Sequence, residues 1–507
     1  MTRPLALACA ALLASALLGA AQPPAPLSSP SPEATAPPQP ATVQPARAHW
    51  ALQNADEQTQ RLVDRGLLML YAFDAGEARV AFGEAVRRDP DLALGYWGEA
   101  EADTIDINVP DTPQGDQRGA AAVAQARRHL ARASELERML VDAIEKRYAP
   151  GTKHERFTRY ADALSAWTKA HRDDANVLTI AAYALWNAAD DLLDAHGAMT
   201  PKAKEIESDL DDALKLEPAN LGAHHLRIHL LEEVKRAQEA VPDAEALESY
   251  GYPPGTSHLE HMPAHIWTRL GEYAKLVDDN ERAVANDRAW FAEGDGPGQA
   301  YMKLYHDHDV DFVLYGLTTV GRNAEARAFA KNEDGSMQAK VALRTHDDAA
   351  ALALAPQSMI AVRGIAAARS GNVALAKQER ARAGSAKPVA QELIDAALAQ
   401  HAGDAAGCAA AYARAYDATK NDAGGDPKNS WADPIGEGYG AALLAAKKPA
   451  QAETVFAAEL KRFPNDPHLE FGLAEAQAAQ HEDDTAARAA YKRHWKGARE
   501  LTAADLG

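Results

Sequence analysis

Apolar residues recur at helical spacing almost without interruption from His49 to near the C-terminus, and no run alternates apolar and polar residues as a half-buried strand would. The segment LLMLYAFDAGEARVAFGEAVRRDP predicts two amphipathic helices joined by a short turn. Small Gly66, Ala78 and Ala85 and bulky Phe82 sit at fixed offsets before Pro90. GYGAALLAAKKPAQAETVFAAELKRFP repeats those offsets with Gly440, Ala452 and Phe456 before Pro464. DLDDALKLEP, ending at Pro218, and LGEYAKLVDDNERAVAND, ending near Arg288, give two more such pairs.

Helix pairs at a period of about 34 residues, with small and large residues at set positions and a closing Pro, are the signature of tetratricopeptide (TPR) repeats. The expected fold is therefore all-α, a TPR-type α-solenoid of antiparallel helix pairs, each burying its neighbour's apolar face. An N-terminal array is expected over 49–330 and C-terminal TPR-like repeats over 331–507, with a weaker register over 330–430. A chain of 507 residues suits several domains or an array, and its Ala- and Leu-rich composition with 6% aromatics favours helix.

The N-terminus departs from this pattern. Arg3, the apolar run Leu5 to Leu18 and the small residues Gly19-Ala20-Ala21 predict a secretory signal peptide over 1–21. The run is shorter than the roughly 20 residues that span a bilayer, so no membrane span is expected after cleavage. The Pro/Ala/Ser-rich stretch 22–48 is expected to be a disordered tether. These features predict a periplasmic or secreted protein. Cys408 is then the one remaining cysteine, and stability must come from helix packing.

Charge removes one class of partner. A net charge of −20 opposes phosphate backbones, so no nucleic-acid partner is expected. Histidines add chemistry: eight of the 18 fall between His224 and His308. In a TPR array, positions 2, 5, 9, 12 and 13 of the first helix of each pair are expected to face a concave groove. After Pro218 these positions hold His225, His229, Glu232 and Glu233. The next pair supplies His258, His261, His265 and Arg269, and the one aligned on Gly321 supplies His308, Asp311 and Tyr315. His224 and His306 fall outside the register and read as structural or supporting residues.

Two histidines at i and i+4 share a helix face and can share a metal ion. His225, His229, His258, His261, His265, His308 and Asp311 are thus candidate ligands for a divalent transition metal, Zn, Fe, Mn or Cu. Glu232 is the candidate acid/base, ligand or tautomer-fixing group. Arg269 reads as its ion-pair partner or a binder of a substrate anion, and Glu233 and Tyr315 as groove residues. Tyr183, Trp186 and Asn187 floor the site or belong to the core. The insertion between Asn286 and Tyr305, with its EGDGPGQ turn, reads as a lid or a plain surface loop. No H-E-x-x-H, G-x-S-x-G, phosphate-loop or Cys-His zinc pattern is present.

The motifs GLLMLYAFDAGEARVAF, YWGEAEADTIDINVP, GAHHLRIHLLE, SHLEHMPAHIWTRLGEY, YHDHDVDFVLYGLTTVGR and AETVFAAELKRFPNDPHLEFGLAEA resemble a family of bacterial TPR proteins with His-rich motifs. The resemblance extends over nearly all of the chain beyond the leader. It implies the fold and a shared site at His225, His229, Glu232, His258, His261, His265 and His308; it implies no reaction. The family usually has His where this chain has Asp311, and its G-P-N-x-N pattern reads here as TIDIN, leaving Asn108.

The expected function is that of an exported TPR protein with a His/carboxylate metal site in its groove, either a metal-binding protein or a metal-dependent enzyme. The alternative is a periplasmic scaffold that binds a peptide or protein partner in the groove without metal.

Overall fold

The computed structural model describes residues 44–53, 55–104, 112–294, 299–420 and 431–506, the side chains of 299–302 excepted. The expected leader, the tether as far as residue 43, Asn108 and residues 295–298 of the Gly-rich turn lie outside the described residues. The chain divides into two compact units, Met1–Pro263 with Arg282–His306 and Ala264–Glu281 with Asp307–Gly507. The division does not fall at the 330/331 change in repeat register.

The protein is all-α, as the periodicity predicts. Outside residues 257–322, most successive helices within each unit pack on one another, and several also touch the next but one, as stacked hairpins require. Strand pairing among the described residues is confined to Gln44–Pro45, parallel to Tyr250–Gly251, and an isolated bridge between Leu193 and Met199. No described helix is long and apolar enough to cross a membrane.

Two local devices build the hairpins. Left-handed residues make many of the turns: Phe73 (φ 60°), His346 (57°), Gly371 (80°), Gly403 (73°) and Lys447 (58°). In four of these the next residue is Asp or Asn, whose side chain caps the following helix. Asp74 accepts from the amide of Glu77, Asp347 from Ala350, Asn372 from Leu375 and Asp404 from Gly407.

The second device holds the stack. Phe82 sits sixteen residues from both Gly66 and Gly98, and Phe456 sixteen from both Gly440 and Gly472. A Cβ added at Gly66 or Gly98 would lie 2.7 or 2.4 Å from the Phe82 ring. At Gly440 and Gly472 it would lie 2.4 Å from Phe456. Each phenylalanine thus wedges between the first helices of successive pairs, which only glycine lets approach so closely. The same packing in both units is the structural form of the repeated Gly and Phe positions.

The first unit departs from a simple array. Residues 44–73, which begin the described chain, pack against helices Ala175–Asn187 and Leu221–Glu233. Trp50 Nε1 donates to Asp174 (3.1 Å), Asn176 Nδ2 to the carbonyl of His49 (2.9 Å) and Tyr71 hydroxyl to Asn176 Oδ1 (2.7 Å). Ala46, Ala48 and Trp50 are buried, so the packed chain begins inside the stretch expected to be tether. In a pure solenoid a repeat touches only its neighbours. Here the first hairpin covers helix faces that an array would leave to solvent.

The second unit has an Ala-rich core with Ile365, Ile394, Tyr412, Phe456 and Tyr491. It also buries a polar pair: Arg344 donates through both terminal nitrogens to Glu437, at 3.0 and 2.9 Å. Arg344 holds the Glu437 carboxyl below its usual range against the opposing effect of burial.

Candidate metal centre

Helix Leu221–Glu233 starts at Asn220, whose side chain accepts from the Ala223 amide. It presents His225 and His229 one turn apart on the same face. His258 comes from the short helix Ser257–His261. One ligand-capable atom from each of His225, His229 and His258 lies within 4.8 Å of the others, and all three side chains are buried. His225 is 0% exposed, His229 8% and His258 1%.

Hydrogen bonding fixes one ring. His225 Nδ1 lies 2.7 Å from the carbonyl oxygen of Tyr71. A carbonyl can only accept, so Nδ1 carries a proton; in the neutral ring Nε2 then keeps its lone pair. That Nε2 is 3.1 Å from Nε2 of His229. Two imidazole nitrogens on a tetrahedral cation, each bonded at about 2.0–2.1 Å, lie about 3.3 Å apart, so the spacing suits a shared ion. A backbone carbonyl holding the far nitrogen is the usual outer support of a metal-binding histidine.

Rings enclose the cluster. Phe73 lies 4.4 Å from His225 and 5.3 Å from His258, and stacks with His229 at 6.2 Å, measured between ring centroids. Trp186 meets His229 edge-on at 6.2 Å, and Tyr305 lies 4.3 Å from His258. Tyr183 packs on Phe73 at 5.6 Å. Asn187 turns back to donate to the Tyr183 carbonyl (3.1 Å).

The other expected site residues have different settings. His261 is buried in the first unit, its ring 5.8 Å from His258. His265 is on helix Pro263–Leu270; the helix of His258 and His261 ends before Pro263, so His261 and His265 do not share one continuous helix. In the second unit His265 and His308 are buried with ring centroids 5.7 Å apart, and Phe312 packs beside both. His224 is tied to Asp243 (2.8 Å) and to the Pro218 carbonyl (3.0 Å), and His306 to Asp287 (3.1 Å).

The structure sets several of the expected groove residues in other surroundings. The histidines do not line an open groove; they are buried, in the first unit partly by the returning N-terminal hairpin. Asp311 is engaged within the second unit: both its oxygens accept from Lys340 Nζ at 2.6 Å, and Oδ1 also accepts from Trp431 Nε1 (3.0 Å). The triad is all-histidine, and Glu232 is not part of it; Glu232 is half-buried and Glu233 exposed near the end of their helix. Tyr315 is interior, edge-on to Tyr273 at 5.8 Å, with its phenol pKa pushed up by burial. Arg269 is half-buried in the second unit.

Sequence spacing missed the contribution of Phe73 and of the Tyr71 carbonyl. One signal was available: the aromatic Phe73 occupies a turn position that elsewhere holds Gly, His or Lys.

Fold and site together define an all-α, TPR-type repeat protein with a buried three-histidine cluster. No protein-family model matches the chain, and no curated protein matches it in sequence. Among solved structures it is similar to the crystal structure of the P58(IPK) TPR domain, at 12% identity and a TM-score of 0.24, over 83% of this chain and 98% of that one. That likeness is too slight to carry an argument, and the fold assignment rests on the hairpins themselves.

Proposed function

We propose that the protein binds one divalent transition-metal ion through His225, His229 and His258. The observation that carries this reading is the pair of Nε2 atoms 3.1 Å apart, with the far nitrogen of His225 held on the Tyr71 carbonyl. A buried imidazole cluster without a ligand must satisfy its ring nitrogens in other ways, whereas a cation uses three lone pairs at once. Three imidazoles with no carboxylate favour Zn²⁺ or Cu²⁺ over Mn²⁺. When bound, such an ion keeps a coordination position for water or a ligand and polarises what occupies it. Around it, the Tyr71 carbonyl orients His225, and Phe73 and Trp186 restrict water and ring motion.

Cobalt titration of the full chain, purified without a His tag, tests this. One equivalent should produce visible d–d bands without thiolate charge-transfer absorption, and His229→Ala should abolish them. Absence of saturable bands, or bands unchanged in the variant, would sink the assignment.

Export follows from the N-terminal sequence and is part of the proposal. Periplasmic fractionation with N-terminal sequencing checks it, with cleavage expected just after residues 19–21.

A second reading rests on the hairpin array: a scaffold for a peptide or protein partner. Pull-down from periplasmic extract separates the two. A partner retained equally with chelator and in His229→Ala supports the scaffold; loss in both ties the partner to the metal.

A further inference from the structure

The first unit closes on itself, and the histidine triad sits where it closes. Helix Glu57–Tyr71 packs mainly on its hairpin partner Ala75–Arg88 and only lightly on Leu221–Glu233, the helix of His225 and His229. A short seam of individual contacts ties the hairpin to the far side. Asn176 is its centre: it donates to the His49 carbonyl (2.9 Å) and accepts from the Tyr71 hydroxyl (2.7 Å). Trp50 Nε1 donates to Asp174 beside it (3.1 Å), and Phe73 meets Tyr183 with ring centroids 5.6 Å apart. The Ala46 amide extends the seam to the Gly251 carbonyl (2.8 Å).

The same residues touch the candidate ligands. Tyr71 reaches across the seam with its hydroxyl and holds His225 Nδ1 with its carbonyl (2.7 Å). The Phe73 ring is packed on His225, His229 and His258. With all three side chains buried, a hydrated ion reaches them only when part of the enclosure moves. Parting two successive helices of the array would expose a continuous apolar face. Parting the seam breaks a few hydrogen bonds and one cluster of aromatic contacts, so local opening is cheapest there.

We infer that the seam between the first hairpin and helices Ala175–Asn187 and Leu221–Glu233 is the gate of the metal site: the ion enters or leaves only when the seam opens, and a bound ion holds it shut. The inference rests on the triad taking an ion. Ligation and closure then favour each other, because the ion fixes one nitrogen of His225 while the Tyr71 carbonyl fixes the other, and such a coupling is reciprocal. A site gated in this way retains its ion against competing ligands, since release waits on an opening and not on a collision.

Release of cobalt from the loaded full chain into excess EDTA, followed by decay of the d–d bands, tests the gate. For the unaltered chain the rate should be independent of EDTA concentration. Trp50→Phe combined with Tyr71→Phe removes two seam hydrogen bonds and leaves the Tyr71 carbonyl in place; it should speed release at least tenfold. Ser134→Ala removes the cap of helix Glu135–Tyr148 in the same unit, away from the seam, and should leave the rate within twofold. Release from the unaltered chain in proportion to EDTA would overturn the gate and spare the metal. So would a folded double variant that releases cobalt like the unaltered chain, or a Ser134→Ala variant that speeds release as much as the seam variant does. A chain that binds no cobalt at all removes the metal reading and the gate together. Should the double variant not fold, the EDTA dependence of the unaltered chain still decides.

Discussion

Phe73 is the residue where fold and site meet. Its left-handed backbone conformation costs about 1–2 kcal/mol for a residue with a side chain, and its ring is packed on three histidines. At most positions glycine is more destabilising than alanine; here the order should reverse. Phe73→Gly sheds the backbone strain along with the ring, whereas Phe73→Ala loses the ring and keeps the strain. Urea denaturation should therefore find Phe73→Gly the more stable by about 1 kcal/mol. The opposite order would show that the strain is not borne by this residue. Gly222 makes a related test: a Cβ there would lie 2.4 Å from the Tyr71 ring. Gly222→Ala should shift Tyr71 and with it the carbonyl that orients His225, weakening metal binding by about 10–100-fold. A cobalt or zinc titration of that variant reads the effect. At this scale the sequence was informative only locally. The four-residue spacing of His225 and His229 survives because one uninterrupted helix carries both. The contacts of Asp311 were not legible, because its partners Lys340 and Trp431 lie 29 and 120 residues away, beyond any spacing rule.

Among the helices, the Gly–Phe–Gly wedges were the most legible feature, since their offsets recur in both halves of the sequence. Gly98→Val should force the Phe82 ring out of a space only 2.4 Å from the new Cβ, destabilising the first unit by about 1–3 kcal/mol, read from its urea midpoint. Asp404→Ala removes a helix cap in the second unit and should lower stability by about 1 kcal/mol. The break before Pro263 was visible in the sequence too, yet the groove register ran through it as one helix. The return of residues 44–73 onto helices Ala175–Asn187 and Leu221–Glu233 left no trace in the repeat pattern. It depends on single hydrogen bonds such as Tyr71 to Asn176 rather than on periodicity, and it turns an expected open face into an interior.

For the whole molecule, buried acids set a pH dependence that the net charge of −20 does not reveal. Burial raises Glu101 from 4.5 to about 7, against the Tyr160 hydrogen bond and the nearby Arg147 charge. The folded state therefore holds this proton where the unfolded chain has released it. Stability falls as pH rises from about 4.5 through 7, the reverse of a salt-bridged carboxylate. Glu101→Gln stays neutral and can still accept from Tyr160, so its stability relative to the wild type should increase from pH 5 to about 7 and level off towards pH 8. Urea midpoints across that range check the sign; a constant difference would mean that Glu101 is ionised in the fold.

The central claim is that the buried triad holds a metal. Elemental analysis of the tag-free full chain, with and without His225→Ala, His229→Ala and His258→Ala combined, tests it most directly. The account predicts close to one zinc or copper per unaltered chain after equilibration with the ion and gel filtration, and none in the triple variant. A substoichiometric trace in the unaltered chain, or the same metal content in both, would contradict it.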